Sequence, residues 1–297
     1  MGLGNGLAIR KTEDSRIVNV FSTQFQWLNR SAPRMRHNMG KKILVIGGAG
    51  GIGKKVSKAL LENGHVPILA DLNQERLRKA AEELGRDTRH FQVDVRNEAS
   101  VAKLVSEVVS AAGRIDSLFA LHGVTSGREE VFKRSLAEWK FVLDTNLTGT
   151  FLCIKHAAPV MIRQASGGCI VALTTTRAKP EDAPYYSSKI GIEGLVATSA
   201  EDLKKYRIGV FVVSPGGYLS TDFHDHSYEL MKYPNFVPDE EMRSQRRAIK
   251  PDVVVPLLLH LSEKIPLDLA GKKITAIDWN EANGLGHEEW YSNENAV

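Results

Sequence analysis

The strongest constraint on this chain is a regular alternation, from Lys41 onward, of short apolar runs with longer amphipathic stretches. The short runs are almost wholly apolar, which is typical of parallel strands covered on both faces. Strand, helix and strand in repeated order predict an α/β fold, a doubly wound sheet of about seven parallel strands with helices on both faces. The predicted strands are Ile43–Ile46, Val66–Ala70, His90–Val93, Ser117–Leu121, Cys169–Leu173, Gly209–Val213 and Lys273–Ile277. The predicted helices are Gly53–Asn63, Asn73–Leu84, Ala99–Ala112, Leu136–Gln164, Tyr185–Tyr206 and Pro251–Ser262.

A glycine-rich segment follows the first predicted strand and opens the first predicted helix. Glycines let the backbone turn tightly and let a diphosphate approach the helix N-terminus, where free N–H groups and the helix dipole favour an anion. A flexible turn is the alternative, but the place of the segment between strand and helix favours nucleotide binding. The residues expected to face the nucleotide are Gly47, Gly50, Gly51, Ile52 and Gly53.

Acidic residues end the next two strands. The Asp71 carboxylate can accept hydrogen bonds from both ribose hydroxyls and would repel a 2′-phosphate, so the cofactor is expected to be NAD rather than NADP. Asp71 or Asn73 could instead cap the following helix. Asp94 and Val95 after the third strand are expected to lie beside the adenine, although an aspartate there is also an ordinary turn former.

Tyr185 and Lys189 stand four residues apart at the start of a predicted helix. This spacing places both side chains on one helix face. A phenol with a pKa near 10 needs a shift of roughly three units to exchange protons readily near neutrality. A neighbouring ammonium supplies part of that shift. The spacing alone is weak evidence, since many exposed helices contain such a pair.

Composition excludes several classes of protein. The chain has 297 residues, 42% hydrophobic and 25% charged, which suits one large α/β domain or two small ones. Its net charge of +4 equals that of residues 1–40, where six basic residues face two acidic ones, so the remainder is close to neutral and no nucleic-acid surface is expected. No apolar run is long enough to span a bilayer. Cys153 and Cys169 lie in apolar runs and are expected to be buried thiols of a cytoplasmic protein.

The two ends of the chain are expected to lie outside this domain. Residues 1–40 are interpreted as a disordered extension, or as a segment upstream of a true start at Met39. Organellar targeting is not excluded, but Glu13 and Asp14 are unusual in a transit peptide. Residues 287–297 form a polar, acidic tail that could fray or cover a neighbouring subunit.

Residues 41–286 resemble the single-domain branch of the short-chain dehydrogenase/reductase family. Five motifs occur in family order, and together they are far more specific than any one alone. The family's T-G-x-x-x-G-x-G corresponds to Ile46–Gly53, D-V to Asp94-Val95, N-x-x-G to Asn146–Gly149, Y-x-x-x-K to Tyr185–Lys189 and P-G to Pro215-Gly216. The resemblance implies a Rossmann-like fold, an NAD(P)-dependent oxidoreductase and cofactor contacts at Gly123, Pro215, Gly216, Tyr185 and Lys189.

Two departures from the family pattern stand out. The family's N-N-A-G reads Ala120-Leu121-His122-Gly123, so only the glycine matches, which puts the usual wall around the cofactor in doubt. The catalytic serine is absent, and alignment of the fifth strand places Thr175 at its position. A threonine hydroxyl offers the same donor and acceptors. Thr174 and Thr176 are alternatives, and the three threonines could also be a simple β-branched strand end.

By this resemblance Tyr185 is the general acid/base for a secondary alcohol or ketone. Lys189 would lower the pKa of Tyr185 and hold the ribose, and Thr175 would orient the substrate oxygen. Asn146 would anchor a water that links Lys189 to solvent, or alternatively bend its helix.

The substrate side is less defined. Residues 217–250 match the family's mobile lid, and Arg177, Tyr186 and Tyr218 are candidate substrate contacts. Arg177 could pair with an anionic substrate group, although a surface arginine is an equal interpretation. His224–His226 lacks a further ligand at useful spacing, so no metal is expected.

The resemblance also implies a homo-oligomer, tetramer or dimer, built through Leu136–Gln164 and Tyr185–Tyr206. Two other functions compete with the NAD-dependent oxidoreductase. One is an NADPH-dependent 3-oxoacyl-thioester reductase, which Asp71 and the lack of a basic residue at Gly50 disfavour. The other is a non-catalytic dinucleotide-binding sensor or scaffold.

Overall fold

The computed structural model describes residues 40–85, 87–127, 129–176, 181–217, 247–286 and 290–295. Several sequence-based expectations fall outside these residues. They are the extension 1–39, Arg177, Tyr218, the greater part of the lid (218–246) and positions 287–289 and 296–297 of the tail.

Seven parallel strands form the central sheet, in the order β3-β2-β1-β4-β5-β6-β8. This confirms the doubly wound sheet predicted from the alternating pattern. The strands of this sheet are β1 (Lys42–Ile46), β2 (Val66–Asp71), β3 (His90–Gln92), β4 (Ser117–Ala120), β5 (Gly168–Leu173), β6 (Ile208–Ser214) and β8 (Lys273–Thr275). A separate antiparallel pair is formed by β7 (Arg247–Ile249) and β9 (Tyr291–Asn295).

Helices cover both faces of the sheet. They are α1 (Gly51–Glu62), α2 (Gln74–Leu84), α3 (Glu98–Ala112), α4 (Leu136–Leu143), α5 (Gly149–Gln164), α6 (Ala183–Lys204), α7 (Val255–Lys264) and α8 (Ala276–Ala282). Three of these helices, α2, α3 and α4, begin at a side-chain cap: Asn73, Asn97 and Ser135 each accept a hydrogen bond from the backbone N–H three residues later.

The core lies in two layers, one on each side of the sheet. Along β5, Ile170 and Ala172 belong to one layer, and Cys169 and Val171 to the other. Every residue of β4, β5 and β6 is buried. Strands covered on both faces leave no polar alternation, which explains why continuous apolar runs were sufficient to predict them. Both cysteines are buried free thiols, as expected.

The register brings the motif-bearing strand ends together. Ile46 of β1 pairs with Ala70 of β2 and with Ala120 of β4, and Ala120 pairs in turn with Ala172 of β5. Strand order reverses between β1 and β4, which is the switch point where α/β sheets bind ligands. The segments that follow these strands therefore share one edge of the sheet.

The structure differs from the predicted elements in four places. The predicted helix Pro251–Ser262 begins as a 3₁₀ helix over Pro251–Val254, and α7 follows it. The predicted helix Leu136–Gln164 is divided by a π-helical turn over Asp144–Thr148. The predicted strand Lys273–Ile277 ends at Thr275, and Ala276 begins α8. Part of the expected polar tail, Tyr291–Asn295, pairs with Arg247–Ile249 at the end of the expected lid segment. No helix of the described residues is long and apolar enough to cross a membrane.

Candidate active site

The glycine-rich segment forms a tight cradle between β1 and α1. Gly47 has φ +82°, and a Cβ there would lie only 2.7 Å from the backbone nitrogen of His122. A Cβ on Gly53 would collide with the carbonyl oxygen of Gly47. The first turn of α1 has no acidic residue, and Gly50 at its N-cap brings no side chain. The cradle therefore fits a dinucleotide diphosphate.

Asp71 lies at the end of β2, beside this cradle. Its carboxylate accepts from the backbone N–H of Ala49 (3.2 Å) and of Asn73 (3.3 Å). Burial raises its pKa, which the two backbone hydrogen bonds and Arg76 partly offset. The helix cap is supplied by Asn73, whose Oδ1 accepts from Arg76 N–H. The alternative role of Asp71 as the side-chain cap is therefore wrong.

Asp94 forms a hydrogen-bonded ion pair with Arg96, whereas Val95 is buried in the core. The Arg96 guanidinium hydrogen-bonds the Asp94 carboxylate (2.6 and 2.8 Å) and holds the pKa of Asp94 below its usual value. Asp94 also accepts from the Arg96 N–H in a local turn, which is the ordinary role of an aspartate at a strand end. Val95 is buried and packs against Gly149. A Cβ on Gly149 would lie only 2.8 Å from a methyl group of Val95.

Tyr185 and Lys189 lie together in the first two turns of α6. The Lys189 ammonium is 5.5 Å from the centre of the Tyr185 ring and donates to the carbonyl of Leu173 (3.2 Å). Burial lowers the pKa of Lys189 to about 8. Burial also raises the pKa of Tyr185, and the negative charge of Asp182 raises it further. This direction of the Tyr185 pKa is opposite to the lowering that the sequence suggested, because desolvation and the Asp182 charge both disfavour the phenolate.

The three threonines after β5 have different surroundings. Thr174 is buried, and its hydroxyl lies 2.7 Å from Glu193 Oε1 and 3.2 Å from the Lys189 carbonyl. Thr175 is half-buried and Thr176 is exposed. The Thr174 hydroxyl is thus hydrogen-bonded to groups of α6. Thr175 stays the predicted substrate contact.

Asn146 is fully buried within the π-helical turn. Its Oδ1 accepts from Val124 N–H (2.8 Å), and its Nδ2 donates to the Val124 carbonyl (2.9 Å) and to Ser188 Oγ (3.0 Å). These contacts tie the segment after β4 to α6. π-Helical turns recur at functional sites, and this one replaces the simple bend that the sequence left as an alternative.

In the altered N-N-A-G segment, Ala120-Leu121-His122-Gly123, Gly123 packs closely against Asn146 and Lys189, and the His122 ring is buried. A Cβ on Gly123 would lie 3.2 Å from Asn146 Oδ1 and 3.4 Å from Lys189 Nζ, so only glycine fits without displacing them. Both ring nitrogens of His122 are buried, and neither has a hydrogen-bond partner within bonding geometry in the described part of the chain. Burial, reinforced by the Lys189 charge, lowers the pKa of His122 to about 3, while the Thr145 backbone opposes this weakly.

The remaining expected site residues lie around this edge. Pro215 is buried after β6, and Gly216 follows with φ +111°, where a side chain would meet Ile277. Tyr186 is half-buried beside Tyr185. Arg177 and Tyr218 belong to the residues that the structure does not describe. Within the described ranges no three His, Cys, Asp or Glu side chains gather as metal ligands, and His224–His226 lies outside them.

Three residues near the site were not found from the sequence. Asp182 precedes α6 and accepts a hydrogen bond from Ser126 Oγ (2.6 Å). Glu193 and Lys273 contact the threonines after β5. Glu193 stands four residues after Lys189, which is a detectable helical spacing. Lys273 is 98 residues from Thr175, and no local pattern indicates that contact.

Comparison with known proteins agrees with this geometry. The family model described as short chain dehydrogenase matches residues 41–230. The chain belongs to the short-chain dehydrogenase family. It is therefore an oxidoreductase of a family that binds a nicotinamide dinucleotide, and the resemblance drawn from its motifs is confirmed.

The relatives of this short-chain dehydrogenase match between 69% and 80% of the chain. An uncharacterised oxidoreductase of Thermotoga maritima is 32% identical over 231 residues, which is 75% of this chain and 89% of the relative. A 3-oxoacyl-acyl-carrier-protein reductase of Staphylococcus epidermidis is 31% identical, over 69% of this chain and 88% of the relative. The solved structure of an NAD⁺-bound xylitol dehydrogenase is 28% identical with a TM-score of 0.70, over 80% of this chain and 98% of that one.

Proposed function

We propose that this short-chain dehydrogenase transfers a hydride between NAD and a secondary alcohol or ketone, with Tyr185 as the general acid/base. The observation that carries the proposal is the placement of Tyr185, Lys189 and the Thr175 segment at the sheet edge that also holds the dinucleotide cradle. In this proposal the Thr175 hydroxyl, the Lys189 ammonium and the Tyr185 phenol act together on a substrate bound beside the cofactor.

Proton transfer at the Tyr185 hydroxyl is the step that the protein supplies. Because burial raises its pKa, the phenol is protonated at neutral pH and is ready to protonate the oxygen of a reduced ketone. In the oxidative direction the same group must first lose its proton. Thr175 orients the substrate oxygen, and the Lys189 ammonium supplies positive charge 5.5 Å from the centre of the Tyr185 ring. The nicotinamide supplies hydride chemistry, and the residues supply position and charge.

The preference for NAD rests on Asp71. A carboxylate held beside the glycine cradle accepts from ribose hydroxyls and repels a 2′-phosphate. NADP is therefore the weaker partner in this proposal. The relation to 3-oxoacyl-acyl-carrier-protein reductases favours thioester reduction as the second candidate function, and Asp71 opposes the NADPH version of it.

The substrate is proposed to be a small polar alcohol or ketone. Asp182 puts negative charge near Tyr185, which disfavours an anionic group at that point. An anionic substrate would therefore depend on Arg177. Nothing in the near-neutral body of the chain suggests nucleic acid as a partner.

The test is turnover with NAD and NADP on xylitol, cyclohexanol and a 3-hydroxybutyryl thioester, followed by nicotinamide absorbance, with the matching ketones in reverse. The Tyr185→Phe variant should lose at least about 100-fold in kcat, because a positioned acid/base contributes that much. Tyr206→Phe, at a tyrosine that is 39% exposed and has no proposed role in the site, is the control and should keep most activity.

Four outcomes decide between the candidate functions. Wild-type turnover that prefers NAD and depends on Tyr185 supports the proposal. Tyr185→Phe turning over at the wild-type rate would contradict it. Tight NADH binding without any turnover would favour the non-catalytic sensor, and a preference for NADPH and the thioester would favour the second candidate.

A further inference from the structure

We infer that Lys273 and Glu193 are positioning residues that fix Thr175 in the active site. This inference rests on the proposed function, in which the Thr175 hydroxyl orients the substrate oxygen. Neither residue belongs to the motifs that mark the site. Both reach it from other elements, Glu193 from α6 and Lys273 from β8.

The end of β5 is held by three charged side chains in succession. Lys189 Nζ donates to the Leu173 carbonyl (3.2 Å), and the Thr174 hydroxyl donates to Glu193 Oε1 (2.7 Å). Lys273 Nζ donates to the Thr175 carbonyl (2.6 Å). Leu173, Thr174 and Thr175 are therefore each hydrogen-bonded by a different charged side chain.

Glu193 and Lys273 act as one unit. The Lys273 ammonium lies 2.9 Å from Glu193 Oε1, the same oxygen that accepts from the Thr174 hydroxyl. Glu193 stands one helical turn beyond Lys189, so α6 carries the ribose-side lysine and this anchor on one face. A shift of α6 or of β8 would be transmitted to Thr174 and Thr175 together.

Thr175 needs such an anchor because it lies beyond the sheet. The Thr174 N–H still bonds to the Val213 carbonyl (2.9 Å), which continues the pairing of β5 with β6. The Thr175 carbonyl instead receives its hydrogen bond from the Lys273 side chain. Catalytic groups misplaced by about 1 Å lose up to about 100-fold in rate, so the loss of this contact should be visible in kcat.

A surface ion pair is the competing explanation. The side chains of Lys273 and Glu193 are 30% and 25% exposed, and pairs near the surface contribute little to stability. The two explanations predict different results. If the pair were only a surface ion pair, its removal would leave kcat unchanged. If Lys273 positions Thr175, its removal lowers kcat without a matching loss of stability.

The experiment replaces Lys273 and its exposed neighbour Lys272 separately by methionine in the full chain. Lys273→Met should lower kcat about tenfold on the fastest alcohol of the panel. NADH affinity, measured by fluorescence, and the thermal midpoint should stay near wild type. Lys272→Met removes the same charge one residue away and should keep the wild-type kcat. Lys273→Arg should restore most of the activity, since it keeps a donor for the Thr175 carbonyl.

A double-mutant cycle links the effect to Thr175. In a Thr175→Ala background, Lys273→Met should change kcat by less than about twofold, because the group that it positions is already gone. An equal tenfold loss in both backgrounds would overturn the inference, as would an unchanged kcat in Lys273→Met.

Different measurements test the proposed role of Thr175 and its positioning by Lys273. If Thr175→Ala keeps wild-type kcat, the proposed role of Thr175 fails. Amide hydrogen exchange without cofactor then tests the positioning alone. Peptides that contain Thr175 and end at Thr176 should exchange faster in Lys273→Met than in Lys272→Met. Equal exchange in the two variants would refute the anchor.

Discussion

Burial controls the charge of the residues around the proposed catalytic tyrosine. It raises the pKa of Tyr185 and lowers that of Lys189 to about 8 and that of His122 to about 3. In each case burial shifts the equilibrium towards the neutral form, because charge is costly in a low-dielectric interior. With a pKa of about 8, Lys189 is nevertheless mostly a cation at pH 7. At neutral pH Tyr185 is a phenol, and the Lys189 ammonium lies 5.5 Å from the centre of its ring.

His122 should make the stability of the protein depend on pH. As pH falls through about 6.5, the unfolded chain binds a proton at this imidazole, while the folded chain stays neutral down to about 3. The unfolded state then holds more protons, so stability decreases as pH falls through this window. Between pH 7 and pH 5 the wild type should lose about 2 kcal/mol more than His122→Ala.

Urea unfolding at the two pH values measures this difference. His90→Ala, which removes an exposed imidazole, serves as the control and should follow the wild type. Identical pH dependence in the wild type and in His122→Ala would show that His122 is not buried in its neutral form.

At the scale of the elements, α4 begins on a buried ion pair. The side chains of Arg134 and Glu138 are only 3% and 6% exposed. The Arg134 guanidinium also donates to the carbonyls of Gly127 (2.7 Å), Glu129 (3.0 Å) and Glu181 (2.6 Å). It thereby joins the segment after β4 to the segment that leads into Tyr185. Burial raises the pKa of the Glu138 carboxyl, against the opposing effect of Arg134.

Arg134→Met should destabilise the protein by about 3–5 kcal/mol, because it leaves the Glu138 charge buried without its partner. The chain offers a matched control in Arg78 and Glu82, an ion pair with the same spacing that is 53% and 58% exposed. Arg78→Met should cost less than about 1 kcal/mol. Chemical denaturation compares the two variants, and equal losses would contradict the assignment of Arg134 as a buried anchor.

The elements also show how far sequence reasoning reaches. Strands β4, β5 and β6 were predictable because burial on both faces leaves a continuous apolar run. The π-helical turn around Asn146 was not, since one extra residue in a turn barely disturbs an apolar period. Strand β9 was not predicted, because its partner Arg247–Ile249 is distant in the chain and a polar segment gives no strand signal.

The candidate site follows the same division. Gly47, Asp71, Tyr185 and Lys189 lie in local motifs, so their types and spacing indicated a dinucleotide oxidoreductase. Lys273 reaches the Thr175 carbonyl only through the alignment of β8 beside β6, which no local pattern encodes. The pKa direction of Tyr185 also depends on burial, and spacing along a helix does not report burial.

At the scale of the whole molecule, α5 and α6 carry apolar side chains that the described residues leave uncovered. Phe151 on α5 is 44% exposed and Ile190 on α6 is 42% exposed. On the same helices, Leu152 of α5 and Ile192 of α6 belong to the buried core. Phe151 and Ile190 therefore lie on the helix sides that are not packed on the sheet. Exposed apolar side chains on neighbouring helices are typical of protein–protein interfaces. We therefore propose that these helices form the homo-oligomer interface.

Ile190→Glu and Phe151→Glu should each reduce the molar mass measured by light scattering after size-exclusion chromatography. A carboxylate in an apolar interface loses its hydration without gaining a partner, so association weakens. Leu61 on α1 is 38% exposed, and Leu61→Glu makes the same change on a different surface. That variant should keep the wild-type mass. A monomeric wild type at micromolar concentration, or equal dissociation by all three variants, would rule out α5 and α6 as the interface. Measuring kcat on the same samples then shows whether assembly also supports α6, the helix that carries Tyr185, Lys189 and Glu193.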